Sequence, residues 1–320
     1  SQNDQNGKQS NSRKAPVKVK GLYISGWVAG VDSKMQHFIE LANTTEINAF
    51  VIDVKDVDGI VAYKSDIPKV KEIGAWESRY NPEKVISQLH ENNIHVIARI
   101  TCFNDSVASS KIPELAIKHV NGGLWKEKKS ESRYLTWLNP YKKEAWDYII
   151  DIAKEAVAKG FDEIQFDYIR FPTGIDVDKM DFSGETKERY EIINEFLAYA
   201  KEQIPDVPIS ADVFGIVCES PKDTENIGQY LELIIEDIDY ISPMIYPSLY
   251  AFGQVVNGIA FQKPDLEPYN VVYNALLKTK DRLSKVEGAD VIVRPYLQDF
   301  TASWLGSGNY QVYGAEQVKQ

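Results

Sequence analysis

Strand-like and helix-like patterns alternate along this chain after its first twenty residues. Seven short segments are rich in apolar, β-branched and aromatic residues, as buried strands are, and helical segments separate them. The segment 142–159 is the clearest amphipathic helix, because its alanines and isoleucines fall on one stripe. The predicted strands are 20–27, 49–55, 95–101, 161–168, 207–213, 240–246 and 291–297. The predicted helices are 33–45, 82–92, 112–119, 142–159, 187–203, 225–236 and 268–284.

Seven β–α units in a row predict an α/β fold with a parallel sheet and helices outside it. The number is one strand short of a closed TIM (β/α)8-type barrel. The residues 314–318 begin another helix close to the end of the sequence, so we expect the eighth strand to be absent from this chain. An open seven-stranded sheet is the alternative. No linker, repeat or shift in composition divides residues 20–320, which we interpret as one domain.

Residues 1–19 differ from the rest, because they are polar and carry no hydrophobic periodicity. We predict that they form a flexible tether left after a signal peptide or membrane anchor is removed. This predicts an extracellular or cell-surface protein, and a cytoplasmic protein with a trimmed start is the alternative. No apolar run in the sequence is long enough to cross a bilayer.

Charge and composition narrow the possible partners. The formal net charge is -11, and an acidic chain repels phosphate backbones, so we do not expect a nucleic-acid partner. Aromatic residues are plentiful, with 18 Tyr, 12 Phe and 6 Trp; most belong in a core, and some could line a groove that binds sugars. Cys102 and Cys218 lack metal spacing and fit two separate buried thiols, although the sequence leaves a disulfide open.

Other common chemistries find no support in the sequence. The four histidines are scattered and share no face with a partner, so we predict no metal and no cofactor. The glycines of 26–30 lack the phosphate-binding spacing, and no Gly-x-Ser-x-Gly elbow is present.

The most informative segment is 160–172, which reads as a buried strand that ends on Asp167. Side chains alternate along a strand, so Glu163, Gln165 and Asp167 share one face while Ile164 and Phe166 share the other. A fully buried parallel strand is normally apolar on both faces, and polar groups inside a barrel are costly unless they serve a function. Barrel enzymes keep their chemistry at the carboxyl ends of the strands.

Other strands also end in polar groups, and in a closed barrel these ends converge on one rim. Asp212 ends the fifth strand on the same face as Ser210, and Asp53 shares a face with Lys55 in the second. One such aspartate is commonly a cap, but several on neighbouring strands are hard to explain as caps. The candidate substrate-binding residues are Asp53, Lys55, Gln165, Arg170, Tyr246, Arg294, Tyr296, Gln298 and Asp299, with Trp137 from the long third loop.

Two carboxylates across a cleft are what glycoside cleavage requires, one as general acid and the other as nucleophile or base. Adjacent strand ends suit the spacing of roughly 5 Å that a retaining mechanism needs. Arg170 or Arg294 would keep Asp167 ionised by lowering its pKa. Apolar neighbours such as Phe214 would hold Asp212 protonated.

Three motifs resemble one bacterial family. They are Trp137-Leu138-Asn139-Pro140, Trp146-Asp147-Tyr148-Ile149 and the run from Gly160 to Pro172. The family is the putative glycosyl hydrolase domain family, formerly a domain of unknown function, and the resemblance extends from about residue 20 to the end of the chain. Segments 21–27, 50–59, 243–247 and 294–300 support it.

The resemblance implies a TIM barrel similar to those of α-amylase-like and α-galactosidase-like enzymes. Such enzymes carry the nucleophile at the end of the fourth strand, which implies Asp167. Their acid lies on the fifth or the sixth strand, and because the sixth ends in Tyr246, the resemblance implies Asp212. The family continues through an eighth strand and is exported, which agrees with the tether.

The leading interpretation is therefore an exported enzyme, expected to be a monomer, that cleaves glycosidic bonds of a polysaccharide, with the cell envelope as one candidate source. A carbohydrate-binding barrel without catalysis is the alternative from another class, since a barrel fold does not by itself define a function. A transglycosylase would use the same residues and differ only in the acceptor.

Overall fold

The computed structural model describes residues 16–320 of the chain. Its main sheet is parallel, and its strands follow one another in chain order. The sheet is a curled, seven-stranded incomplete barrel, as the sequence predicts. Its strands are β1 Gly21–Ile24, β2 Ala49–Lys55, β3 His95–Thr101, β4 Glu163–Asp167, β5 Ile209–Phe214 and β6 Tyr240–Ile245, followed by a seventh strand in two pieces, β7 Ile292–Val293 and β8 Tyr296–Leu297.

The seventh strand is interrupted at Arg294 and Pro295, although the sequence predicts one strand over 291–297. Both pieces pair with β6. Pro295 has no backbone N–H group to donate to the ladder, which explains the break. Within the described residues, β1 and the seventh strand are the two edges of the sheet and do not pair with each other. The prediction of a sheet that is one strand short of a closed barrel is therefore confirmed.

Helices connect the strands on the outside of the sheet. They are α1 Gly26–Ala29, α2 Asp32–Thr44, α3 Pro68–Glu72, α4 Pro82–Glu91, α5 Ser106–Lys111, α6 Lys143–Lys159, α7 Arg189–Gln203, α8 Leu231–Ile234, α9 Pro268–Leu283 and α10 Ala315–Lys319. Three two-stranded sheets lie in the loops: Lys118–His119 with Met180–Asp181, Glu127–Lys128 with Tyr134–Leu135, and Gln254–Val256 with Ile259–Phe261.

Two of the predicted helices are wrong. In place of a helix over 112–119, α5 lies earlier in the chain, where the Asp105 side chain accepts the Ala108 N–H at 2.7 Å and caps it. The helix predicted over 225–236 shrinks to α8. Gly228 has a φ of +88°, and a Cβ there would lie 2.5 Å from a side-chain carbon of Ile193, so this stretch cannot continue as a helix.

The two faces of the strands divide as the alternation predicts. In β4, Ile164 and Phe166 point outward into the main hydrophobic core, which the helices cover. Glu163, Gln165 and Asp167 point into the barrel and are all buried. Polar groups therefore fill much of the barrel interior, where they must find partners or serve a function.

The segment that precedes β1 lies against the end of the barrel where the strands begin. The Tyr240 hydroxyl donates to the Val17 carbonyl at 2.6 Å, and the Asn48 amide donates to the Lys18 carbonyl at 2.9 Å. Val19 packs on Ala49 and its neighbours. Residues 16–19 thus belong to the domain, and the predicted tether is too long at this end. Its other residues, 1–15, lie outside the described part of the chain.

Two smaller expectations concern the cysteines and the membrane. Cys102 and Cys218 are both buried and carry free thiols, as the preferred interpretation has it. Across residues 16–320, no helix combines the length and the apolarity that a membrane span requires.

Candidate active site

A β-bulge sets the orientation of the second strand's end. Asp53 pairs with Arg99 of β3, but Lys55 pairs with Ile100, the very next residue of that strand. The extra residue turns Lys55 to the outer face, because side chains alternate and one inserted residue reverses the alternation. The prediction that Asp53 and Lys55 share a face is therefore wrong.

Lys55 consequently has a structural environment and does not line the site. Its ammonium group lies 2.6 Å from the Asp105 carboxylate, and both side chains are completely buried. It also donates to the Cys102 carbonyl at 3.2 Å and lies over the Tyr148 ring of α6. No sugar reaches a side chain enclosed in this way, so Lys55 is not a substrate-binding residue.

The centre of the site is an arginine that joins two aspartates from neighbouring strands. Arg99 donates to Asp53 at 2.7 Å, and to one oxygen of Asp167 at 2.7 and 3.0 Å. Burial alone lowers the pKa of Arg99, but the charges of Asp167 and Asp53 outweigh it and raise that pKa well above the ordinary value. Tyr23 of β1 donates its hydroxyl to the other oxygen of Asp53 at 2.6 Å.

Asp167 is held as a group that only accepts hydrogen bonds. Its second oxygen accepts the backbone N–H of Tyr168 at 2.7 Å, so both oxygens of the carboxyl group act as acceptors. Tyr168 has a φ of +51°, an uncommon conformation for a residue with a side chain. Such strain is concentrated at functional sites, where the surrounding structure has to hold it in place.

Asp212 of β5 lies beside Asp167 but in a different state. The register pairs Phe166 with Ala211, so Asp167 and Asp212 are the next residues along the two neighbouring strands. Asp212 is 1% exposed, and its Oδ1 has no hydrogen-bond partner among the described residues. Burial raises the pKa of Asp212 well above its ordinary value, and the charge of Asp167 raises it further.

Tyrosines from the sixth and seventh strands complete the wall around Asp212. Ser242 of β6 is the register partner of Asp212, so alternation places Tyr246, which directly follows β6, on the same face as Ser242. Burial, followed by the charges of Asp212 and Asp167, raises the pKa of Tyr246. Tyr296 has a raised pKa for the same reasons in the same order, and it donates its hydroxyl to the side-chain carbonyl of Gln165. The structure thus brings Asp53, Gln165, Tyr246 and Tyr296 together with the two predicted catalytic residues.

Arg170 and Trp137 lie next to this site and support it from one side. Arg170 lies over the rings of Phe214 and Trp137, at 4.4 and 5.0 Å from their centroids, and donates to the Phe171 carbonyl at 2.9 Å. Trp137 is 1% exposed, and its indole N–H donates to Glu127 at 2.8 Å. A buried indole offers no face to a sugar, so the prediction that Trp137 binds substrate is wrong.

Arg294 lies at the opposite, amino-terminal end of the strands. It forms a two-pronged ion pair with Glu163, which is fully buried and also lies 3.1 Å from His95. Asp167 therefore forms its ion pair with Arg99 and not with Arg294 or Arg170. The prediction that one of those two arginines balances the charge of Asp167 is wrong. Arg294 does not contact the predicted catalytic pair.

The two residues that follow the seventh strand, Gln298 and Asp299, have different environments. Gln298 is buried and braces loops, because it accepts the Ser248 N–H at 3.1 Å and donates to Asp265 at 2.9 Å. Its hydrogen bonds are used within the protein, which argues against the predicted role in substrate binding. Asp299 is exposed and directly precedes Phe300, whose ring contacts Tyr246 at 5.7 Å between centroids, so it lies near the carboxyl-terminal end of β6.

Sequence reasoning overlooked Arg99 and Tyr23, although a pattern was present. Arg99 interrupts the third strand on the same face as Thr101, opposite Ala98 and Ile100, so alternation alone indicates a charged group inside the barrel. Arg99 lies two residues before the end of β3, and its long side chain reaches the aspartates near the strand ends. Among residues 16–320, no group of three acidic, histidine or cysteine side chains is arranged to hold a metal ion.

Comparison with known families places this geometry in context. A family model described as "Putative glycosyl hydrolase domain" matches residues 21–320. The chain belongs to this glycosyl hydrolase family. No curated protein gives a significant match.

Solved structures similar to this glycosyl hydrolase domain agree on the fold. A hypothetical protein from Ruminiclostridium thermocellum is 60% identical, over 60% of this chain and 97% of that one, with a TM-score of 0.56. The PgaB glycoside hydrolase domain from Bordetella bronchiseptica is 15% identical, over 89% and 94% of the two chains, with a TM-score of 0.59. An α-galactosidase from Thermus thermophilus in complex with stachyose is 14% identical, over 96% of this chain and 59% of that enzyme, with a TM-score of 0.52.

Proposed function

We propose that this domain hydrolyses glycosidic bonds of a polysaccharide, with Asp167 as nucleophile and Asp212 as general acid. The observation that carries the proposal is the contrast between two neighbouring carboxyl groups. Asp167 accepts three hydrogen bonds from Arg99 and Tyr168, whereas burial and the neighbouring negative charge favour the protonated form of Asp212. A protonated carboxyl group beside one that only accepts hydrogen bonds is the pairing that acid–nucleophile catalysis needs.

The two carboxyl groups then divide the reaction between them. Asp212 donates its proton to the glycosidic oxygen as the bond to the leaving sugar breaks. Asp167 attacks the anomeric carbon and forms a covalent glycosyl-enzyme. Asp212, now a carboxylate, removes a proton from the water that releases the sugar and restores both groups. Arg99 and Tyr23 keep Asp167 and Asp53 in place during the cycle.

The strand geometry favours a retaining outcome. Asp167 and Asp212 follow a hydrogen-bonded pair on adjacent strands, which lie about 4.8 Å apart. Retaining enzymes hold their carboxyl groups about 5 to 5.5 Å apart, and inverting enzymes leave roughly 6.5 to 9.5 Å for a water molecule. Two proteins of similar fold, a glycoside hydrolase domain and an α-galactosidase in complex with stachyose, support the same reaction class.

The test is hydrolysis of a glycan panel that includes cell-wall polysaccharides, in view of the exported location that the sequence predicts. We expect at least one polysaccharide to be cleaved, with the first-formed product in the anomeric configuration of the substrate by NMR. Asp167→Asn should abolish cleavage. Cleavage that persists in this variant contradicts the proposal, as does binding without cleavage, which would favour a carbohydrate-binding barrel. Transfer of sugar to sugar in place of water would indicate a transglycosylase.

A further inference from the structure

A run of aromatic rings leads from the candidate catalytic pair to the protein surface. Tyr246, which follows β6, makes an edge contact with Phe300 at 5.7 Å between ring centroids. Phe300 stacks on Trp304 at 5.9 Å with an interplanar angle of 28°. Exposure rises along the run, to 38% for Phe300 and 63% for Trp304. We call these three residues the aromatic platform.

The inner end of the aromatic platform belongs to the candidate active site. Tyr246 directly follows β6 on the same face as Ser242, and Ser242 is the register partner of Asp212 in the neighbouring strand. A molecule held at Asp212 therefore meets Tyr246 first, and any part of it that extends toward the seventh strand meets Phe300 and Trp304. The platform is continuous with the site and is not an isolated surface patch.

The loop that carries the outer rings is fixed before any ligand arrives. Gln298 ties it to Asp265 and to the Ser248 backbone, and Gln311 bonds to Asp265 from the other side. Trp304 lies in the short 3-10 turn Ser303–Leu305. Rings held in place in this way lose little conformational entropy when they bind, so their exposed area can stabilise a complex efficiently.

Flat, exposed aromatic rings suit a ligand with flat apolar faces and polar edges. Sugar rings have this form, since their C–H groups lie on the faces and their hydroxyl groups around the rim. Charge limits the kind of sugar, because Asp299 directly precedes Phe300 of the platform and the chain has a net charge of -11. Both features repel a polyanionic chain.

We propose that the aromatic platform binds consecutive sugar rings of an uncharged polysaccharide on one side of the bond to be cleaved. This inference rests on the proposed function and deepens it, because it makes the substrate a neutral chain several residues long. The enzyme then favours long chains over short ones, because Phe300 lies between Tyr246 and Trp304 and only a longer chain contacts all three rings.

Binding is measured first, in the Asp167→Asn background, so that no substrate is consumed. Oligosaccharide ladders of cellulose, starch, mannan and chitin are titrated against it, with a polygalacturonate ladder as the charged comparison, and tryptophan fluorescence and calorimetry are recorded. We expect a neutral ladder to bind more tightly with each added sugar. Trp304→Ala or Phe300→Ala should weaken binding of the longest oligomers about 3- to 10-fold. The weakening should be smallest for disaccharides.

Tyr273→Ala is the matched control, because Tyr273 is 49% exposed and stacks on Tyr269 on the outer helix α9. It should bind the ladders as the parent protein does. Equal losses in Tyr273→Ala and Trp304→Ala, equal losses at every chain length, preferential binding of polygalacturonate, or no binding of any ladder would each overturn the inference. Length-dependent binding without hydrolysis by the unsubstituted protein would leave the platform standing and refute only the proposed function.

Discussion

The two ends of β4 carry the same kind of interaction with opposite consequences. At its amino-terminal end, Glu163 pairs with Arg294, and at its carboxyl-terminal end, Asp167 pairs with Arg99. Both carboxyl groups lie inside the barrel, and both arginines come from other strands of the sheet. The two pairs differ in how fully the surrounding groups are satisfied.

Around Glu163, both oxygens have partners in Arg294 and a third partner in His95. Around Asp167, one arginine serves two aspartates, and beside it Asp212 Oδ1, Thr101 Oγ1 and Ser242 Oγ have no hydrogen-bond partner among residues 16–320. A satisfied buried network stabilises one conformation, and unsatisfied buried polar groups are costly unless they serve a function. We therefore interpret the lower cluster, around Glu163 at the amino-terminal end of β4, as structural. We interpret the upper cluster, around Asp167 and Asp212 at the carboxyl-terminal ends of the strands, as the place of the reaction.

The largest effects come from removing one charge at each end of β4. Asp167→Asn should lower kcat at least about 10³-fold, because it removes the proposed nucleophile, while Arg99 retains Asp53 as a partner. Glu163→Gln should lower the free energy of unfolding by about 3 to 5 kcal/mol, because it leaves Arg294 buried beside a neutral group. Urea unfolding and steady-state kinetics on both variants measure the contrast.

The comparison would fail if the two variants behaved alike. Glu163→Gln should keep a kcat close to that of the unsubstituted protein at a temperature where it is fully folded. An equal loss of kcat in both variants would show that the lower cluster also takes part in the chemistry. A larger loss of stability in Asp167→Asn would show that the upper cluster is mainly structural.

The pH dependence should run in opposite directions at the two ends. Burial raises the pKa of Glu163, but His95 and Arg294 outweigh it and lower the net value, so the stability it contributes is present above its unfolded pKa and is lost as the pH falls through the folded pKa. Burial and Asp167 raise the pKa of Asp212, so its contribution is present below its unfolded pKa and is lost as the pH rises through the folded pKa.

Asp212→Asn should therefore remove the alkaline part of the pH dependence. We expect a 10²- to 10⁴-fold lower kcat, since the general acid is lost, and no fall of the remaining activity on the alkaline side. The melting temperature of the variant should drop less than that of the unsubstituted protein as the pH rises above the unfolded pKa of an aspartate. If the alkaline limb of the kcat profile persists in Asp212→Asn, another group donates the proton.

The outline of the fold follows from local patterns, and the failures have local causes. Alternation places Asp167 and Asp212 correctly, because a parallel strand imposes the same parity wherever its neighbours lie. Lys55 fails because a bulge after Asp53 reverses that parity, and nothing in the sequence of this strand announces the inserted residue. The break at Pro295 could have been read from the proline itself.

Partnerships between distant residues are what local patterns cannot supply. Arg294 lies within the predicted seventh strand and Arg170 follows the fourth, so the sequence offers both as partners of Asp167. Arg294 instead pairs with Glu163, which is 131 residues away, and aromatic rings surround Arg170. Arg99 gains its two aspartates only when β2, β3 and β4 lie side by side. Tryptophan is a residue type suited to sugar binding, and only the burial of Trp137 against Tyr168 and Arg170 shows that its role is structural.

The finest test makes one conservative change at both ends. Lysine keeps the positive charge of arginine but cannot form two parallel hydrogen bonds or bridge two carboxylates at fixed angles. Arg99→Lys should lower kcat by about 10- to 100-fold, because a catalytic group misplaced by a fraction of an ångström reacts slowly, and should change stability little. Arg294→Lys should lower the melting temperature and leave kcat unchanged, since Glu163 and His95 do not touch the catalytic pair. If Arg99→Lys keeps full activity while Arg294→Lys loses it, the roles of the two clusters are reversed, and the reaction must take place around Glu163.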